Sequence, residues 1–120
     1  MENAQSKSYS CPVEVTLELI GGKWKALLLW HLKENAVLRH GELRRLIPTI
    51  TQKMLTQQLR RLEADGLVAR EVYPEVPPRV EYSLTSYGRE LEALLDQFCG
   101  WGAQHAERFG LTIIPPACSI

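Results

Sequence analysis

The stretch Thr51 to Gly66, TQKMLTQQLRRLEADG, constrains this chain more than any other, because it fits a helix whose two faces need different surroundings. Leu55, Leu59 and Leu62 recur at i, i+4 and i+7 with Met54 beside them, and such a stripe needs a core to cover it. The other face carries Gln52, Lys53, Thr56, Gln57 and Arg60. These side chains hydrogen-bond to base edges or phosphates, and no carboxylate stands among them. Thr51 suits the N-cap after the Pro48 turn, and Gly66 sits where a glycine closes a helix, so a helix over 51–65 is predicted. The acids Glu63 and Asp65 fall only in its last turn. An ordinary solvated amphipathic helix would show the same stripe, so its neighbours decide between the two readings.

The distribution of charge separates them. The chain of 120 residues has a formal net charge of zero, yet from Arg39 to Arg61 six cations (Arg39, Arg44, Arg45, Lys53, Arg60, Arg61) face Glu42 alone. That segment is net +5, whereas residues 1–20 and residues 86–110 are each net −2. One basic segment between two acidic ones makes an oriented molecule with a face suited to a polyanion.

The neighbouring elements agree. A short helix from about His40 to Ile47 turns Leu43, Leu46 and Ile47 inward and Arg44 and Arg45 outward, and Pro48 ends it. Two helices joined by a tight turn, the second basic and polar-faced, make a helix-turn-helix. Past Gly66 the period changes to two. Residues 67–73 (LVAREVY) and 79–84 (RVEYSL) read as strands rich in β-branched and aromatic residues. The segment PEVPP between them is too proline-rich for a sheet. A hairpin over 67–84 directly after a helix-turn-helix is a wing. Arg79 at its tip either enters a minor groove or pairs with Glu75 or Glu81.

The remaining helices ask for a partner. Residues 1–10 read as a loose arm, after which Cys11 stands at the N-cap and Pro12 at the first position of a helix closed by Gly21-Gly22. Lys23 to about Lys33 is apolar nearly all round and needs cover from several sides. A final helix from Tyr87 to about Phe109, capped by Thr85 or Ser86, carries a long stripe that includes Leu91, Leu94, Leu95, Phe98, Trp101 and His105. That stripe exceeds what one small core needs. Packing with Val13 and Leu17 of the first helix against a second copy explains it most simply. Gly100 and Gly102 either kink this helix or permit close approach. The domain is thus placed at 11–109, with an apolar tail over 110–120.

Cys11, Cys99 and Cys118 form no CxxC pair, and with only His31, His40 and His105 the sequence offers no metal site and no cofactor site. An odd cysteine count, a polar N-terminus without a signal-peptide core and no span-length apolar run predict free thiols and a cytoplasmic protein free of the membrane. No Ser-His-Asp set, glycine-rich phosphate loop or carboxylate pair stands out, so an enzyme is the weakest reading. His31 and His105 are expected as satisfied core histidines. At a helix N-terminus the dipole favours a Cys11 thiolate, although Glu14 opposes it, and a small inert cap is the competing reading.

The residues CPV from Cys11, IGGKWK from Ile20, GELRRL from Gly41, ITQKMLTQQL from Ile50, LEADGLV from Leu62 and YPEVPPRVEYSLT from Tyr73 together resemble the HxlR-type family of winged helix-turn-helix transcriptional regulators, relatives of the MarR-like group. The strings fall between Cys11 and Thr85, and a looser likeness runs on to about His105. His40 stands where the family usually has an aromatic such as phenylalanine, and Thr49 where it usually has glycine. The resemblance implies a homodimer, joined through terminal helices, on a palindromic operator in double-stranded DNA. Some relatives sense oxidants or electrophiles at the cysteine matching Cys11.

The expected protein is therefore mainly α with a small β-hairpin: a winged helix-turn-helix regulator, expected as a repressor, dimeric through its terminal helices. Gln52, Thr56 and Gln57 are assigned to base edges, with Thr51 at the helix start. Lys53, Arg60, Arg44 and Arg45 are assigned to phosphates and Arg79 to a minor groove; Arg45 and Arg61 are alternatively solvated or bound to nearby acids. The competing class is a winged-helix module that binds protein rather than DNA, which the basic segment disfavours.

Overall fold

The structure, a computed structural model, describes residues 7–114. Cys11 caps helix α1 (Pro12–Ile20), with Pro12 at its first position. Glu14 Oε1 accepts from the backbone N–H of Ser10 at 2.7 Å and of Cys11 at 3.2 Å, so the backbone donors at and just before the N-cap are satisfied locally. Helix α2 (Lys25–Asn35) is the centre of the domain. It packs on α1, β1 (Val37–Arg39), α3 (His40–Leu46), α4 (Gln52–Ala64), β3 (Arg79–Leu84) and α6 (Glu92–Arg108). Leu28, Leu29 and Leu32 are fully buried there, which meets the demand of a helix apolar nearly all round.

Ala36, at φ 63°, reverses the chain after α2 and launches a strand that the local pattern does not announce, β1 (Val37–Arg39). Helix α3 (His40–Leu46), the turn through Pro48, and helix α4 (Gln52–Ala64) follow. Strands β2 (Val68–Tyr73) and β3 (Arg79–Leu84) form the hairpin, in register from Val68 opposite Leu84 to Tyr73 opposite Arg79. β1 adds to the far edge of β3, giving an antiparallel sheet in the order β1-β3-β2. The hairpin is therefore anchored to the body as a three-stranded sheet.

The expected single terminal helix is two helices, α5 (Ser86–Arg89) and α6 (Glu92–Arg108). Thr85 caps the first by accepting from Gly88 N at 2.9 Å. The chain then tightens. Glu90 and Leu91 donate to Tyr87 and Gly88 carbonyls, both at 3.1 Å, an i to i−3 pattern that ends α5 before α6 begins. Gly100 and Gly102 have no neighbour within 4 Å of a notional Cβ, so no close approach within the subunit requires them. Among the described residues no helix is long and apolar enough to cross a membrane.

Candidate nucleic-acid interface

The turn between α3 and α4 is closed by backbone bonds from Ile47 N to Leu43 O (3.0 Å) and from Ile50 N to Ile47 O (3.1 Å). Ile50 is buried and pins the turn to the core, and Thr51 Oγ1 then accepts from Met54 N at 3.0 Å to start α4. Leu55, Leu59 and Leu62 are all at most 1% exposed, so the orientation of α4 about its own axis is set by packing. The consequence is on the opposite side. Gln52, Lys53, Thr56, Gln57 and Arg60 together line one shallow, open depression of about 580 Å³.

Thr56 is half-buried at the back of that surface, where its Oγ1 shares a 3.1 Å hydrogen bond with His40 Nε2 from the start of α3. Burial, with the positive charge of Arg44 adding to it, holds His40 below the ordinary imidazole range. Arg44 and Arg45 are exposed on α3. Among the described residues Arg44, Arg45, Lys53, Arg60 and Arg61 make no ion pair, so the alternative of internal neutralisation is not met for any of them.

Arg79 behaves otherwise. It bonds Glu81 at 3.1 Å through Nη1 and Glu75 at 3.0 Å through Nη2, and its guanidinium lies 3.9 Å from the centre of the Tyr73 ring. In this conformation the wing arginine clasps its own hairpin, the internal pairing that stood as the alternative to a minor-groove contact. The two carboxylates and the ring compete with a phosphate or base edge for the same group.

Cys11 is exposed. Glu14 occupies the amide donors beside it, as the opposing reading anticipated. The arm before it is tied down over residues 7–10, where Lys7 Nζ donates to Glu18 at 3.0 Å and the Tyr9 hydroxyl donates to the same carboxylate. Residues 1–6 lie outside the described residues, as does Cys118. The free-thiol expectation fails for Cys99, which is disulfide-bonded.

The apolar residues assigned to a subunit interface divide into two groups. Val13, Leu17, Phe98 and Trp101 are each more than half exposed, on α1 and α6. Leu91 and Leu94 are half-buried against the core, and Leu95, expected on the interface, is 2% exposed inside the subunit's own core. His105 is not a core histidine. It is exposed, with ring centroids 5.2 Å from Trp101 and 4.7 Å from Phe109. His31 is buried, but its Nε2 has no hydrogen-bond partner among the described residues, and burial holds it below the usual range against the pull of Glu34.

Residues 19–109 match the HxlR-like helix-turn-helix family. The chain is 59% identical over 104 residues to YtcD, an HTH-type transcriptional regulator of Bacillus subtilis strain 168, covering 87% of this chain and 82% of the relative. Among solved structures it is similar to the redox regulator HypR in its reduced form, with a TM-score of 0.78 and 53% identity over 83% of this chain and 98% of that one. It is also similar to diamide-treated YodB from B. subtilis, with a TM-score of 0.65 and 36% identity over 81% and 96% of the two chains.

Proposed function

Because the chain belongs to the HxlR-like helix-turn-helix family of transcriptional regulators, we propose that it acts as a homodimeric repressor on a palindromic operator. One observation carries the reading: α4 turns five polar or cationic side chains outward into a single surface without a carboxylate. Gln52, Thr56 and Gln57 read base edges in a major groove, and Lys53, Arg60, Arg44 and Arg45 hold phosphates. The exposed apolar residues of α1 and α6 join the two copies, which sets the two reading helices roughly 34–36 Å apart, one turn of duplex. A dimer seated on a promoter in this way excludes other proteins from it. A protein-binding wing would not need the cations of α3 and α4, which make no ion pair among the described residues.

The test is selection from a randomised duplex pool followed by salt titration of the selected and random sequences. Gln57→Ala is expected to lower discrimination by about 1–3 kcal/mol, the worth of one bidentate base contact. Lys53→Ala is expected to weaken selected and random DNA alike and to reduce the slope of log affinity against log salt by about 1. Equal affinity of the unaltered protein for selected and random duplexes overturns the reading.

A second reading concerns the signal. The exposed thiol of Cys11 begins α1 beside the proposed subunit interface, and two similar structures are of redox regulators. In this reading Cys11 forms a disulfide with another thiol, two electrons and two protons passing to an oxidant such as diamide, and the shift of α1 changes DNA affinity. Diamide is expected to release DNA from the unaltered protein and not from Cys11→Ser. Release from Cys11→Ser to the same extent excludes Cys11 as the sensor.

A further inference from the structure

From the first helix of the motif, His40 hydrogen-bonds a side chain of the reading surface. It stands at the first position of α3, is half-buried, and shares the 3.1 Å bond with Thr56, whose neighbours on the surface are Gln52, Lys53, Gln57 and Arg60. A threonine hydroxyl has one proton and two lone pairs. If Nε2 accepts, that proton points at the ring and Thr56 offers a base only lone pairs; if Nε2 donates, the proton is free for a base acceptor. A staggered χ1 that keeps Oγ1 on His40 also fixes where the Thr56 methyl stands, and the methyl is a partner for thymine.

We propose that His40 is a specificity-determining positioning residue: by holding the Thr56 hydroxyl it sets both the rotamer and the hydrogen-bond polarity that Thr56 presents to a base pair. The role rests on the DNA-reading function proposed above. His40 itself contacts no DNA in this scheme. It acts through Thr56, and it does so from a different helix, so the angle between α3 and α4 is built into the readout. The neutral form of the ring, favoured by its burial, leaves Nε2 able to take either part.

The experiment is the same duplex selection carried out on five proteins: unaltered, His40→Phe, His40→Gln, Thr56→Val and the double variant His40→Phe/Thr56→Val. His40→Phe keeps a ring of similar size without a polar atom, Thr56→Val keeps the shape without the hydroxyl, and glutamine places an amide near the position of Nε2. His40→Phe and Thr56→Val are each expected to relax base preference at the same operator position by roughly three- to tenfold, the worth of one oriented hydrogen bond. Affinity of His40→Phe for random duplex stays unchanged. The double variant is expected to match Thr56→Val alone, and His40→Gln to restore most of the preference.

A His40→Phe protein with unaltered preference overturns the proposal, and so does equal loss on selected and random DNA, which marks a merely structural residue. If Thr56→Val leaves preference unchanged while Gln57→Ala alters it, the proposal for His40 fails and the DNA-reading function stands. If the unaltered protein selects no sequence, both fail together.

Discussion

Replacing Leu59 by alanine is expected to destabilise the protein by about 3 kcal/mol, within the 2–5 kcal/mol that removal of a buried leucine costs. Leu59 is 1% exposed at the middle of α4, between the equally buried Leu55 and Leu62, so little collapse can fill the space it leaves. For a chain of this size the midpoint of thermal unfolding should fall by about 12 °C. The measurement needs one fixed protein concentration, because association of subunits raises apparent stability by mass action. DNA affinity at 25 °C should change far less than stability, since most molecules remain folded and the outward face of α4 is intact. Gln57→Ala should do the reverse. A loss below about 1 kcal/mol for Leu59→Ala would mean that α4 is not seated on the core as described.

Gly88→Ala is expected to cost about 2–4 kcal/mol by a different route. A Cβ at Gly88 would lie 2.1 Å from the carbonyl oxygen of Leu67 and 3.1 Å from its carbonyl carbon. Both atoms are backbone, so no rotamer change relieves the overlap, and the start of α5 must lift away from the base of the wing. Two bonds are then strained: Thr85 N to Leu67 O at 3.1 Å and Thr85 Oγ1 to Gly66 O at 2.6 Å. Gly66 and Leu67 join α4 to β2, so this substitution should lower DNA affinity together with stability. Gly102→Ala supplies the contrast. With open space around it in a helix interior, it should be neutral or stabilising by up to about 1 kcal/mol. Equal effects at the two glycines, measured by thermal or urea unfolding, would contradict the packing of α5 on Leu67.

The two variants probe features that differ in how visible they are before folding. The burial of Leu59 is written in its spacing from Leu55 and Leu62, and the Thr51 cap and the hairpin over 67–84 are legible for the same reason: each rests on residues within a few positions of one another. The demand of Gly88 is not. It arises because Thr85 brings α5 against Leu67, far back along the chain, and an isolated SYGR segment carries no sign of it. Strand β1 is similar. Three residues with one buried leucine are no signal until β3 offers an edge to pair with.

The candidate site divides along the same line. Local pattern alone determines that α4 has an apolar stripe and a carboxylate-free polar face, that the basic segment lies between acidic ones, and that a proline-rich hairpin follows, because helix and strand periods place side chains by sequence distance. Only the tertiary structure decides the rest. Among the described residues it leaves the cations of α3 and α4 without an ion-pair partner, and it closes Arg79 onto Glu75 and Glu81. It draws Leu95 into the core while leaving Phe98 and Trp101 outside, and it sets His40 against Thr56. These depend on how one element is rotated and placed against another. That placement follows from summed packing over the core, which no short stretch of sequence encodes.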